Sequence, residues 1–320
     1  MLKASSLVKI FICTILAALI LLVPLCGCQE NNNSMSADTV TFTDALERQV
    51  SVQKSPQRVA ALIGSFAEIW QLAGGTVCAT AEDAWDDFGL SLGDAVNIGG
   101  AHSPNLELLL SSSPDFVIAS ASTAADVDMC QSLESAGICV AYFDVDSFYD
   151  YLDMLRICTD ITGRRDLYNE NGSNLLESIN KIKDSLSFDK KSDAERKILL
   201  LRASANTLKA KGSSGTVLGE MLCDLGAVNI ADSDTSLLEN LSIESIIKGE
   251  PHHIFVVTMG DDTIAATKNL TRILEENPAW QGLDAVRENR VHIMERRLFN
   301  IKPNVRWAEA YEKLAKILQS

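Results

Sequence analysis

Polar and charged side chains follow several apolar runs of this sequence, at the positions where a buried strand would end. Arg202, Arg297 and Lys302 are the cations among them, on a chain with 28 Lys and Arg against 43 Asp and Glu. Arg and Lys bind carboxylates and other oxyanions through charge-assisted hydrogen bonds. We therefore interpret these three residues as candidates for contacting an anionic ligand.

The sequence lacks the motifs of the common enzyme classes. The segment 212–215 (GSSG) has the wrong spacing for a GxSxG nucleophile turn, and no P-loop, GxGxxG or HExxH is present. Asp86 and Asp87 are adjacent, whereas the two acids of a glycosidase stand on opposite sides of a substrate. The four His residues are scattered, which does not indicate a site for a bare zinc or manganese ion. We therefore predict a binding protein with no metal-ion site, and keep an exported hydrolase and a bare metal-ion binder as lesser alternatives.

The charge balance excludes other partners. The net charge of −15 argues against nucleic acid, because phosphate binding needs a basic face. It also argues against adsorption to anionic lipid. At 320 residues and 47% hydrophobic composition, the chain is long and apolar enough to form two domains with substantial cores.

The N-terminus has the pattern of an export signal. Lys3 and Lys9 form a short positive segment before an apolar run over residues 10–25, which is short for a membrane span. The run ends in Leu25-Cys26-Gly27-Cys28, which resembles the lipobox of bacterial lipoproteins. The resemblance implies a signal peptide over 1–27, acylation of Cys28 and a flexible tether over 28–38. We thus expect an exported protein, anchored by lipid in the bilayer at the outer face of the bacterial cytoplasmic membrane.

The cysteines beyond Cys28 have no CxxC spacing and are odd in number, so they cannot all pair within the chain. They are Cys78, Cys130, Cys139, Cys158 and Cys223. We expect buried single thiols. A Cys130–Cys139 disulfide remains an alternative.

Short β-rich runs alternate with helical patterns, which predicts an α/β fold. The predicted strands are Val59–Ile63, Val77–Thr80, Phe116–Ala119, Cys139–Phe143, Lys197–Leu201, Ile254–Val257 and Val291–Met294. Their apolar runs are continuous rather than alternating, which is typical of parallel strands covered by helices on both faces. Helical stripes are predicted over 66–72, 213–225 and 307–318.

The middle of the chain has an almost unbroken helical pattern, with a long helix predicted over 166–186. It divides the chain into an N-terminal α/β lobe at 39–160, a connecting helix at 161–189 and a C-terminal α/β lobe at 190–320.

One element occurs in both predicted lobes. Glu107 lies near the start of a short helix and is followed seven residues later by Pro114 and then a buried strand. Glu244 and Pro251 repeat this arrangement before the strand at 254–257. The proline ends the helix and shapes the turn. The repetition indicates a pseudo-symmetric, bilobed protein.

Several further segments together carry a resemblance to a known family. They are the opening Val40–Val50 with Pro56-Gln57-Arg58-Val59, Asn105-Leu106-Glu107 with Pro114-Asp115, Asn277-Pro278-Ala279-Trp280, and Val286–Val291. In this order they resemble the periplasmic-binding-protein family of ABC importers for ferric siderophores, haem and corrinoids. Glu47 stands where the family's opening hairpin often has Gly. The resemblance implies two Rossmann-like lobes with parallel-type sheets, joined by one long α-helix.

The resemblance also implies a function. The protein would be the extracytoplasmic solute-binding lipoprotein of an ABC importer, delivering a ferric siderophore-type chelate to a permease dimer with its ATPase. Corrinoid (cobalamin) or haem binding is the alternative on the same scaffold. We expect no covalent cofactor besides the lipid. We expect the ligand to be an iron- or cobalt-containing chelate and the protein to be a monomer. Glu107 and Glu244 match the family's two exposed glutamates that dock onto permease arginines.

In open α/β sheets, ligands lie beyond the carboxyl ends of the strands, and in a bilobed protein these ends face one cleft. Residues just past the predicted strands are therefore candidates for ligand binding. They are Ser65, Phe66, Trp85, Ser120, Asp144, Arg202, Thr258, Met259, Arg297, Phe299 and Lys302. Among them Trp85 is suited to stacking on a flat ligand group.

Overall fold

The computed structural model describes residues 38–260 and 262–320, so the predicted signal peptide and Cys28 lie outside the described residues. The strands are β1 Thr39–Thr43, β2 Gln49–Gln53, β3 Val59–Ala61, β4 Val77–Thr80, β5 Val96–Asn97, β6 Phe116–Ser120, β7 Cys139–Phe143, β8 Lys197–Ala203, β9 Leu208–Lys211, β10 Val228–Asn229, β11 His253–Thr258 and β12 Val291–Met294. In these ranges, no helix has the length and apolarity needed to cross a membrane.

Helices cover both sheets. The α-helices are α1 Gly64–Leu72, α2 Asp83–Asp86, α3 Leu106–Ser111, α4 Ala124–Asp128, α5 Cys130–Ser135, α6 Phe148–Thr162, α7 Arg165–Tyr168, α8 Asn174–Ser185, α9 Val217–Asp224, α10 Ile230–Ser233, α11 Ser236–Glu239, α12 Ile243–Gly249, α13 Thr263–Glu276, α14 Pro278–Gln281, α15 Asp284–Arg287, α16 Arg296–Phe299 and α17 Trp307–Gln319. A π-helical turn spans Asn169–Ser173, and 3-10 turns span Phe188–Lys190 and Asn304–Arg306.

Two parallel sheets confirm the predicted α/β fold class. The sheet of the first lobe has the order β5-β4-β3-β6-β7, with every neighbouring pair parallel. The sheet of the second lobe has the order β10-β8-β11-β12, also parallel, with β9 added antiparallel to β8. Strands β6 and β11 are buried along their whole length, as their continuous apolar runs predicted.

The hairpin β1–β2 precedes the first sheet, and a buried aspartate holds its turn. The Asp44 carboxylate accepts hydrogen bonds from the backbone amides of Leu46 and Arg48 at 3.0 Å each, and from the Arg48 guanidinium. Glu47 has φ = 59°, in the left-handed region that costs a non-glycine residue free energy. Gly adopts this region without that cost, so the backbone at residue 47 would accept Gly as well.

A helical segment connects the two sheets along the chain. Helix α7, the π-helical turn and α8 follow one another from Arg165 to Ser185, close to the predicted 166–186. At Gly172, a Cβ atom would lie 3.1 Å from the Leu152 side chain, so the segment packs tightly against α6. The predicted bounds of the lobes themselves stay a prediction.

The two lobes share one hydrophobic core. It includes Phe66 from the first lobe and Leu200 from the second, together with residues of α6, α8, α9 and α17. Within this core the ring of Phe148 lies 5.8 Å from that of Trp307, in an edge-on arrangement. Because burial of this apolar surface depends on both lobes, their separation would expose it to water.

Cys78, Cys130, Cys139, Cys158 and Cys223 are free thiols in the structure, and the alternative Cys130–Cys139 disulfide does not form. Cys158 is fully buried in the shared core. Cys130 instead accepts a hydrogen bond from Arg48 at 3.0 Å. All five are single thiols as expected, but only Cys158 is buried: Cys78, Cys130 and Cys139 are partly exposed and Cys223 is exposed.

A buried histidine should make stability depend on pH. His253 begins β11 with no exposed surface, and its Nδ1 lies 3.0 Å from Nε2 of His292 on β12. Burial, followed by the charges of His292, His252, Arg290 and Lys191, lowers the pKa of His253 from 6.5 to about 3. The folded state resists protonation of His253. The contribution of the neutral imidazole to stability is therefore complete above pH 6.5 and is lost as pH falls towards 3.

As pH falls from about 6.5 to about 4.5, we therefore expect the unfolding free energy of wild type to decrease by about 2 kcal/mol more than that of His253→Phe. Urea denaturation at a series of pH values measures this difference. The comparison with His253→Phe is needed because burial raises the pKa of Asp126 to about 7. Protonation of Asp126 therefore stabilises both proteins as pH falls. The exposed His102, changed to Phe, is the control. Parallel pH curves for wild type and His253→Phe would contradict the prediction.

Candidate ligand-binding site

Close packing positions the loops at the carboxyl ends of β3 and β4. The backbone amide of Gly64, at the start of α1, donates to both carboxylate oxygens of Asp83 at 3.0 Å. A Cβ atom at Gly64 would lie 2.5 Å from the backbone nitrogen of Ala84, so only glycine fits. Asp83 therefore has a structural role, tying α1 to α2, and Trp85 within α2 packs partly buried against the shared core.

The segment 144–147 carries acidic groups at the carboxyl end of β7. Its conformation is fixed by a capping box, in which the Ser147 hydroxyl accepts from the Asp150 amide and the Asp150 carboxylate accepts from the Ser147 amide. Asp144 is exposed and Asp146 is half-buried. Burial raises the pKa of Asp146, while the positive charge of Lys302 acts to lower it.

Arg202 lies one residue before the end of β8 and is half-buried. Its Nε atom is buried and has no hydrogen-bond partner among the described residues. Burial lowers the pKa of Arg202, and Asp146 is the charge that opposes this shift. Asp146 of the first lobe thus interacts electrostatically with both Arg202 and Lys302 of the second, which places all three at the boundary between the lobes.

Arg297 is engaged by protein groups. Its Nη2 donates to the two carboxylate oxygens of Glu68 on α1 at 3.0 and 2.8 Å, and its Nη1 donates to the Lys302 carbonyl at 2.8 Å. The guanidinium carbon also lies 4.2 Å from the centre of the Phe88 ring. The expected role of Arg297 as a ligand-binding cation does not fit this arrangement, because both Nη atoms and the flat face already have protein partners. It joins the two lobes instead.

Two further contacts complete this junction. Asn304 donates through Nδ2 to the Ser65 carbonyl at 2.9 Å and to the Glu68 carboxylate at 2.5 Å. Arg296 forms an ion pair with Asp87. Glu68 is buried enough that its pKa is raised despite the nearby Arg297 charge. We call Glu68, Arg297 and Asn304 the lobe junction.

Most of the remaining candidates lie at the expected strand ends but differ in accessibility. Phe66 has no exposed surface and Phe299 is 2% exposed, so both side chains belong to the shared core rather than to a surface that a ligand can reach. Ser65, Ser120 and Thr258 are also buried. Met259 is 45% exposed. The accessible or half-buried candidates that form no ion pair within residues 38–260 and 262–320 are Trp85, Asp144, Arg202, Met259 and Lys302.

The sequence interpretation did not include β9 or its two lysines. The order Leu208-Lys209-Ala210-Lys211 alternates apolar and cationic residues, which is the signal of a strand with one polar face. Asp146 and Glu68 were also missed, because nothing in their sequence neighbourhood shows that they face the other lobe. Among the described residues, no group of three His, Cys, Asp or Glu side chains could hold a metal ion.

The two glutamates of the internal repeat occupy equivalent places. Glu107 and Glu244 are each the second residue of a short helix, α3 or α12, and both are exposed. Asn105 and Ser242 cap these helices with a side-chain oxygen that accepts a backbone amide hydrogen bond. Each helix leads into a central buried strand of its sheet, so the repetition seen in the sequence is also structural.

Comparison with known proteins agrees with this architecture. The family model described as periplasmic binding protein matches residues 59–298. The chain is 27% identical over 303 residues to the "Fe(3+)-citrate-binding protein YfmC" of Bacillus subtilis, covering 92% of this chain and 90% of the relative. It is 24% identical over 282 residues to an "Uncharacterized ABC transporter substrate-binding lipoprotein YvrC" of the same organism, covering 86% and 84%.

Among solved structures, Staphylococcus aureus SirA complexed with staphyloferrin B has a TM-score of 0.66 at 20% identity, covering 88% of this chain and 97% of that one. Staphylococcus aureus IsdE complexed with heme has a TM-score of 0.66 at 17% identity, covering 82% and 99%. These likenesses confirm the fold with two α/β lobes. The family match covers most of the chain and confirms a solute-binding protein rather than an enzyme: the chain belongs to the periplasmic binding protein family.

Proposed function

We propose that this protein captures a ferric siderophore-type metal chelate outside the cytoplasmic membrane and delivers it to the permease of an ABC importer. The observation that carries the proposal is the similarity, over nearly the whole chain, to a relative named for binding ferric citrate. The site at the lobe boundary supports it, because it offers cations to an anionic chelate on a chain with a net charge of −15.

The proposed ligand contacts are the accessible candidates at the lobe boundary. Arg202 and Lys302 supply positive charge, and neither has an ion pair within the described part of the chain. Trp85, Asp144 and Met259 line the same carboxyl edges of the two sheets. The acidic Asp146 interacts electrostatically with both cations but forms no ion pair with either, so their hydrogen-bond donors stay available for a ligand.

Delivery requires attachment and docking, and both are part of the proposal. Cys28 would carry the lipid that holds the protein at the outer face of the membrane. Glu107 and Glu244 would meet basic side chains of the permease dimer, since two carboxylates at equivalent places on two lobes suit a partner with two-fold symmetry. Their helices are capped by other residues, which leaves both carboxylates available for a partner.

Titration of the full-length chain in detergent tests the proposal. The probes are ferric citrate, a ferric trihydroxamate, a ferric catecholate, haemin and cobalamin, followed by tryptophan fluorescence. We expect one class to saturate the protein one to one, with a dissociation constant below about 1 μM, a free energy of roughly −8 kcal/mol. The iron-free form of each siderophore is the control. Failure of all five probes to bind a protein with an intact circular dichroism spectrum would contradict the proposal.

A further inference from the structure

The short strand β9 adds two cations to the site. It pairs antiparallel with β8, with Lys209 directly opposite Arg202 and Lys211 directly opposite Leu200. Side chains directly opposite each other in an antiparallel pair project from the same face, with Cβ atoms about 5 Å apart. Lys211 is two residues from Lys209 and therefore projects from that face as well. We call Arg202, Lys209 and Lys211 the β9 cation row.

The packing of the neighbouring residues shows which face this is. Ala210 and Leu201 are buried in the core of the second lobe alone, on the opposite face of the sheet. Leu200, on the same face as the β9 cation row, packs into the core that both lobes share. The row therefore lies on the face of the second sheet that packs into the core shared by both lobes, near the carboxyl end of β8.

The row lacks a compensating anion. No ion pair within 4 Å involves its three members in residues 38–260 and 262–320, and the buried Nε of Arg202 has no partner there. Burial, then the like charges of Arg202 and Lys209, lowers the pKa of Lys211. Asp146 is the acid that acts on Arg202, from outside ion-pair distance. Holding three cations together, with Arg202 and Lys211 half-buried, costs free energy that an anionic ligand would recover.

We propose that Arg202, Lys209 and Lys211 form a subsite for the carboxylates of a polycarboxylate iron chelate, and that this row selects such chelates over uncharged ones. The inference rests on the proposed function and adds the ligand class to it. Arg202 presents a planar fork that matches a carboxylate, and the two lysines provide point charges for neighbouring carboxylates. Haemin, with a large apolar ring, would depend much less on this row.

The test compares the full-length wild type with Lys209→Gln/Lys211→Gln, using ferric citrate and a neutral ferric trihydroxamate as probes. We expect the double variant to bind ferric citrate at least about 10-fold more weakly, since two attractive charges are lost. Added salt should weaken ferric citrate binding by wild type more steeply than by the variant. The control Lys190→Gln/Lys316→Gln removes the same charge from two exposed positions on other elements and should bind as wild type does.

Arg202→Gln is the second variant. Because the Nε of Arg202 has no hydrogen-bond partner in the described part of the chain, loss of the side chain should weaken ferric citrate binding without lowering the free energy of unfolding. Unchanged ferric citrate affinity in both variants would overturn the subsite and leave the importer function intact. Tighter wild-type binding of the neutral trihydroxamate than of ferric citrate would do the same. If wild type bound no iron chelate at all, the proposed function would fail together with the subsite.

Discussion

Changing Glu107 and Glu244 together to Ala should abolish chelate uptake by cells while leaving chelate binding by the purified protein unchanged. Both carboxylates are exposed on the second residue of equivalent helices, and neither belongs to the ligand contacts proposed above. Paired charges at an interface set the rate and orientation of docking, so loss of both should be far more severe than loss of either one. Uptake of radioactive iron and fluorescence titration measure the two properties separately.

The control removes two exposed glutamates from other helices, as Glu170→Ala/Glu275→Ala, with the same change in net charge. This variant should support normal uptake. Stability is a further check, since loss of a carboxylate from the first turn of a helix costs only about 0.5 kcal/mol. Normal uptake by Glu107→Ala/Glu244→Ala would show that these residues do not dock the permease. Loss of ligand affinity in that variant would place them in the binding site instead.

The lobe junction should give the largest effect of a single substitution on stability. Replacing Glu68 with Ala leaves Arg297, whose side chain is only 16% exposed, without its ion-pair partner. It also removes an acceptor from Asn304, which is fully buried. Breaking one side of a buried ion pair typically costs about 3–5 kcal/mol, and we expect about 3 kcal/mol here. Urea denaturation of the full chain measures this loss.

The double variant Glu68→Met/Arg297→Met separates the two contributions to this effect. Burial raises the pKa of Glu68 even beside Arg297, which shows that desolvation offsets much of the attraction between them. Replacing both by apolar side chains removes the desolvation cost, so the double variant should be within about 1 kcal/mol of wild type. A loss below about 1 kcal/mol for Glu68→Ala alone would show that the pair is effectively solvated.

Local patterns were sufficient to predict the bounds of three strands, although the edge strand β12 is largely accessible, with Ile293 51% exposed. The predicted bounds are those observed for Val77–Thr80, Cys139–Phe143 and Val291–Met294. A short, largely apolar run between turn signals is typical of a strand. Helix α9 is shorter than the predicted 213–225, since the Thr216 hydroxyl accepts from the Gly219 amide and starts the helix there. The repeated Glu-to-Pro spacing was equally visible, because it is a relation between residues close together in the chain.

The cations of the site show what local patterns leave open. Arg202 and Arg297 are both arginines near the end of a strand, and the sequence treats them alike. The structure pairs Arg297 with Glu68, which is 229 residues away along the chain, and leaves the buried Nε of Arg202 without a partner among the described residues. Periodicity and composition describe one element at a time. They were sufficient to predict most strands of the two sheets, the helical connection and the repeated glutamates. Which charge is neutralised depends on the packing of one lobe against the other, and only the tertiary structure decided that.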